Sequence, residues 1–113
     1  MLLNRQALRV CSLWRRLKKE YPLAKHWSLK FFPNKEGYCW RGRKLLDIGV
    51  CGANPSRLLL HEVAHIKSQP FGNQHNQSWF DMYLRLLKTY LPNAPLSESD
   101  KIIVKVYGLK EVS

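Results

Sequence analysis

The sequence predicts an α+β protein: an amino-terminal helix, a small antiparallel sheet, and further helices after it, in one domain spanning residues 1–113. Three observations predict it. Apolar residues recur at spacings of three and four before Pro22 and again from Leu58 to Leu91, which is the period of a helix with one buried face. Between Trp27 and Val50 the period falls to two, that of a half-buried strand. Finally, 113 residues suffice for one modest core and not for two.

Taken in order, Ala7, Val10, Cys11, Trp14, Leu17 and Tyr21 form the stripe of a first helix that starts near Asn4 and that Pro22 ends. Its other face carries Arg5, Arg9, Arg15, Arg16, Lys18 and Lys19. Such a helix can lie on an acidic membrane, but a stripe of this kind more often packs on a core. Trp27, Leu29 and Phe31 then alternate with Ser28 and Lys30 as a first strand. Pro33, Asn34 and Gly37 supply turn chemistry, Tyr38 and Trp40 begin a second strand, and Leu45 to Val50 read as a third.

Asn54 and Pro55 are a cap and a first helical residue, and the helix they start runs to Lys67, closed by Pro70 and Gly72. Another helix is expected from about Ser78, with Ser78 and Asp81 as a capping box, Tyr83, Leu84, Leu87 and Leu91 on its inner side, and Pro92 as its stop. The tail from Ser97 to Leu109 is divided. Ile102, Ile103, Val104 and Val106 favour a strand, whereas Ser97 to Asp100 and Gly108 look like the two ends of a helix, which is the reading adopted.

Composition excludes several classes. Hydrophobic content of 45% is that of a globular chain, and no apolar stretch approaches the ~18 residues of a membrane span. The basic residues within Met1 to Glu20 leave no signal-peptide core. Cys11, Cys39 and Cys51 are odd in number and widely spaced, so buried thiols are expected rather than disulfides or a zinc ribbon. A reducing cytoplasm and a monomer are the expected setting. Net charge is +11, and residues 1–50 hold twelve Lys or Arg against three acids. That basic half attracts phosphate backbones or acidic partners without specifying a sequence.

Chemistry is concentrated in His61-Glu62-Val63-Ala64-His65, which follows Leu58, Leu59 and Leu60. On a helix, two imidazoles four residues apart share a face and can fill two corners of a zinc tetrahedron, while Glu62 can reach water in an open corner. A charged residue beside such an apolar run is costly to bury without a task. A catalytic zinc normally takes three protein ligands, and the third is expected to be His75, brought back across the loop of Pro70 and Gly72. Asp81 is the competitor, better explained as a cap or an outer carboxylate.

Leu-Leu-His-Glu-Val-Ala-His, a short loop, then His75-Asn76-Gln77-Ser78-Trp79 resembles the SprT-like zinc metallopeptidases and the minimal metallohydrolases related to them in phages and actinobacteria. The resemblance covers roughly residues 27–91. It implies a minimal zincin-like fold, Zn2+ held by His61, His65 and His75, Glu62 as catalytic base, Trp79 as the packing residue that seats the third ligand, and a protein or peptide substrate. DNA-associated proteins are one substrate class it suggests. The cysteine-rich ribbon of the larger relatives is not seen in this sequence, and Asn76 stands where glycine is more usual, at a position that would suit a left-handed backbone.

The expected chemistry is hydrolysis in which Glu62 accepts a proton from water and returns it to the leaving amine, with an extended peptide paired to an open sheet edge. The sequence names no oxyanion donor: His26, Tyr83 and Tyr90 all read as structural. Two alternatives stand beside it. A repressor-cleaving peptidase of a mobile element would take an acidic third ligand from the next helix. A nucleic-acid-binding module would use a metal only for structure, with Trp27, Tyr38 and Trp40 as stacking platforms.

Overall fold

The computed structural model describes residues 5–52, 54–67 and 75–111. Among the described residues the architecture is α+β, with four helices and a three-stranded sheet. The first helix, α1 (Arg5–Glu20), buries Ala7, Val10, Leu13, Trp14 and Leu17. Pro22 cannot donate a helical hydrogen bond, and a 3-10 turn, Pro22–His26, leads the chain to the sheet.

Strands β1 (Ser28–Phe32), β2 (Gly37–Trp40) and β3 (Leu45–Gly49) lie in the order β1-β3-β2. The expected all-antiparallel sheet is thereby corrected to a mixed one: β2 runs antiparallel to β3, but β1 runs parallel to it. The reason lies in burial and in one glycine. β3 buries Leu46 and Ile48 completely and takes the centre, so the turn after β1 must cross the end of β3 to reach the far edge. It crosses at Gly49, where a Cβ would sit 2.2 Å from the carbonyl oxygen of Asn34, and the Gly49 N–H donates to the Glu36 carbonyl at 2.9 Å. Only a residue without a side chain admits that crossing.

The next helix, α2 (Pro55–Lys67), is the hub of the fold, packed against β2, β3, α1 and the following helix. As expected it starts at Asn54, whose side chain accepts from the Arg57 N–H at 3.0 Å. Leu59, Leu60, Val63 and Ala64 are fully buried, so α2 is packed along most of its middle, and it meets the cleft at Leu58, His61 and Glu62. Pro70 and Gly72, expected to close this helix, lie outside the described residues.

Helix α3 (Gln77–Tyr90) begins one residue before the expected Ser78. Its cap is Asn76, whose side chain accepts from the Trp79 N–H at 2.9 Å, not a Ser78–Asp81 box. Asn76 has φ −102° and ψ 179°, an ordinary extended conformation, so the left-handed backbone suggested for this position does not apply. The tail is a helix, α4 (Glu98–Val106), opened by a reciprocal box between Ser97 and Asp100. Its β-branched residues yield to this cap, and Gln77 anchors the chain beyond it by exchanging hydrogen bonds with the Lys110 backbone at 2.7 and 2.9 Å. Of the three thiols only Cys39 is buried; Cys51 is exposed. Among the described residues no helix is long and apolar enough to cross a membrane.

Candidate metal centre

One turn of α2 places His61 above His65, with Glu62 rotated toward β2. His75 enters from the start of α3, directly before the Asn76 cap that fixes the direction of that helix. The three histidines predicted to act together are brought together: one ring nitrogen from each lies within 4.8 Å of the other two. Nε2 of His61 and Nε2 of His75 are 3.2 Å apart. Two nitrogens sharing one tetrahedral zinc at ~2.0–2.1 Å would stand about 3.3 Å apart, so the residues present fit the ion. Among the described residues no cysteine or carboxylate joins the group.

Trp79 holds all three rings. Its indole lies edge-on to His61 and His75, 4.7 Å from each, and stacks on His65 at 5.3 Å with 19° between the planes. Its Nε1 donates to the His61 carbonyl at 3.0 Å. The residue expected to seat one ligand therefore packs against three.

Sequence reasoning missed Asp100. It lies 4% exposed at the start of α4, and its Oδ1 is 3.1 Å from Nδ1 of His61. The Tyr83 hydroxyl donates to Asp100 Oδ2 at 2.6 Å, and the Ser97 N–H donates to the same oxygen at 3.3 Å. A carboxylate facing Nδ1 keeps the proton there and leaves Nε2 as a lone pair aimed at the cluster. The Ser97-x-x-Asp100 spacing signalled the cap, but nothing local signals a contact across 39 residues. Tyr83, read as structural, commits its hydroxyl to this carboxylate.

Electrostatics follow from burial. Desolvation of Glu62, 5% exposed, raises its carboxyl to about 7; His61 opposes the shift and Asp100 adds to it. Burial and then His61 hold His75 down to about 4, which keeps its ring neutral and able to ligate. Burial also pushes Asp100 upward, but the hydrogen bonds from His61 and Tyr83 win and bring it to about 2, so it is an anion. Burial, the Asp100 charge and that same bond push Tyr83 well above the usual phenol range.

The other candidates lie elsewhere. Asp81 accepts from Gln77 Nε2 at 2.8 Å within its own helix, and Tyr90 donates to Glu20. His26 ends the 3-10 turn before β1 and is exposed.

The cluster opens into a cleft of about 520 Å3. Glu36, Gly37 and Tyr38 at the open edge of β2 form one wall, and Ser99 and Ile103 of α4 belong to its lining. Gly37 allows the strand to approach: a Cβ there would meet Leu58 Cγ at 3.1 Å and Glu62 Cγ at 3.2 Å. Compared with family models, curated proteins and solved structures, the chain finds no match.

Proposed function

We propose that the chain is a zinc-dependent metallopeptidase. The observation that carries this reading is the placement of Glu62. Its Oε2 lies 3.8 Å from the ligating nitrogen of His61, beside three convergent imidazoles and at the floor of an open cleft. A structural metal site has no use for a buried carboxyl beside its ligands.

When bound, the ion supplies a Lewis acid that polarises a carbonyl and brings the ionisation of water near neutral pH. His61, His65 and His75 would hold it; the anionic Asp100 orients His61, and Trp79 fixes all three rings. Glu62, buried beside the three imidazoles at the cleft, is placed to accept a proton from water and hand it to the departing amine. The free edge of β2 along the cleft offers backbone groups to an extended chain, which favours a peptide as substrate over a compact molecule.

Metal analysis of the purified protein beside His75→Ala and Glu62→Gln tests the reading. One equivalent of zinc in the parent and in Glu62→Gln, a sharp fall in His75→Ala, and loss of proteolysis of an unfolded casein by 100-fold or more in Glu62→Gln are expected. Undiminished proteolysis in Glu62→Gln, or unchanged zinc in His75→Ala, would sink it.

A further inference from the structure

The face of the sheet turned away from α2 carries an aromatic row. Cys39 points inward and is buried, so Tyr38 and Trp40 point outward, 42% and 46% exposed. Phe32 at the end of β1 joins them: its ring is 6.0 Å from Tyr38, which is 5.9 Å from Trp40. Side chains of this size are rarely left in water without a use, and single exposed aromatics are commoner than rows.

The polar edges of these rings are occupied. Tyr38 donates its hydroxyl to Glu36 at 2.7 Å, and Trp40 donates Nε1 to Asp47 at 2.8 Å. The two bonds lock the rings in place and leave their faces as what is offered to a partner. They also use both carboxylates of this region as acceptors. Against these, Lys30, Lys35, Arg43 and Lys44 are exposed, and the register places Lys30 beside Asp47 and Tyr38 on the same face.

We infer that this face is a stacking platform for single-stranded nucleic acid, with Phe32, Tyr38 and Trp40 receiving bases and Lys30 meeting phosphate. Flat apolar rings bordered by cations suit a polymer that alternates flat bases with anions. A neutral sugar polymer would use the rings but not the surrounding charge, which makes it the poorer fit. Duplex DNA would offer phosphates with its bases already stacked. Trp27, the other candidate from the sequence, packs partly buried against the core and takes no part. The inference rests on the sheet face alone and is independent of the metal reading.

The test is titration of the purified protein with a fluorescein-labelled dT 12-mer and with a labelled 12-bp duplex, read by anisotropy, alongside quenching of intrinsic tryptophan fluorescence. Trp14 and Trp79 are buried and Trp27 is half-buried, so the part of a quench that is lost in Trp40→Ala is the part that reports Trp40. The single strand is expected to bind tighter than the duplex and to quench. Trp40→Ala and Tyr38→Ala are expected to weaken single-strand binding roughly tenfold each, with Trp40→Phe restoring most of it. Lys30→Gln should lower the salt dependence by about one phosphate contact. Equal affinity for duplex and single strand, single-strand binding unchanged in Trp40→Ala, or binding of a neutral glucan in preference to dT would overturn the inference.

Discussion

Asp100 and His61, 39 residues apart in sequence, face each other at 3.1 Å through Oδ1 and Nδ1, so the last helix of the chain reaches back to set the proton on a ring of α2. Oδ2 of the same carboxylate already accepts from Tyr83 and from the Ser97 N–H. In Asp100→Asn the backbone N–H of Ser97 cannot turn round, so the amide oxygen must stay with it and the amide NH2 must face His61. The ring would then carry its proton on Nε2, the nitrogen meant for the metal. Zinc affinity is expected to fall about 10–100-fold with the fold retained, measured by competition with a chromophoric chelator. Tyr83→Phe should cost less, because it leaves the carboxylate charge in place. An Asp100→Asn variant with parental affinity would refute this role.

Glu62 gives a dependence of stability on pH with a definite sign. Its carboxyl lies near 7 when folded against an ordinary 4.5, so the folded chain binds the extra proton between those values. Stability of the metal-free protein should therefore decline as pH rises from about 4.5 to 7, by on the order of 3 kcal/mol from this group. His75 works the other way, since its pKa is lowered from 6.5 to about 4 and its contribution is lost as pH falls through that window. Between pH 6.5 and 7 Glu62 acts without that opposition. Glu62→Gln should remove the decline, so its advantage over the parent in urea unfolding with chelator present should grow from pH 5 to pH 8. An advantage independent of pH would contradict the burial argument.

Much of this site was legible in the sequence. His61, Glu62 and His65 are read from the His-Glu-x-x-His spacing on a helix, and His75 from the need for a third ligand after a loop that can reverse the chain, because these are local patterns or elementary coordination rules. Asn54 as a cap and Ser97 as a helix start were legible for the same reason. The parallel pairing of β1 was not, since a turn rich in Pro, Asn and Gly looks like a hairpin unless one knows that β3 is driven to the centre by its own burial. Asn76 was misjudged because its cap depends on where α3 begins, a boundary that periodicity fixes only to within a few residues. Asp100 was illegible as a partner of His61, because contacts of long sequence separation leave no mark on spacing.

Gly37 couples the sheet edge to Glu62, the proposed base. A methyl group there would press on Leu58 Cγ at 3.1 Å and on Glu62 Cγ at 3.2 Å, and both side chains border the cleft. Gly37→Ala should cost roughly 1–3 kcal/mol in overpacking, and Gly37→Val more. Turnover should fall in both while zinc content stays near one equivalent, because no ligand is displaced. Parallel metal analysis and casein hydrolysis check this, and loss of zinc in step with activity would show that the strand supports the histidines instead.

Ser97 ought to influence the metal without approaching it. Its hydroxyl accepts from the Asp100 N–H at 3.0 Å, and its own N–H donates to Asp100 Oδ2, so one capping box fixes both the first turn of α4 and the carboxylate that faces His61. Ser97→Ala removes the hydroxyl acceptor and should cost about 0.5–2 kcal/mol, felt mainly in α4. The outer side of that helix, with Ile102 and Val106 exposed at 62% and 70%, does little to hold it down. Hydrogen exchange should quicken across 98–106 while α2 stays protected, and zinc affinity should drop several-fold because Asp100 is held in position less of the time. Restoring the cap with Ser97→Thr should recover both together. If exchange quickens and zinc affinity does not move, Asp100 keeps its place through Tyr83 and His61 alone, and the cap serves only the helix.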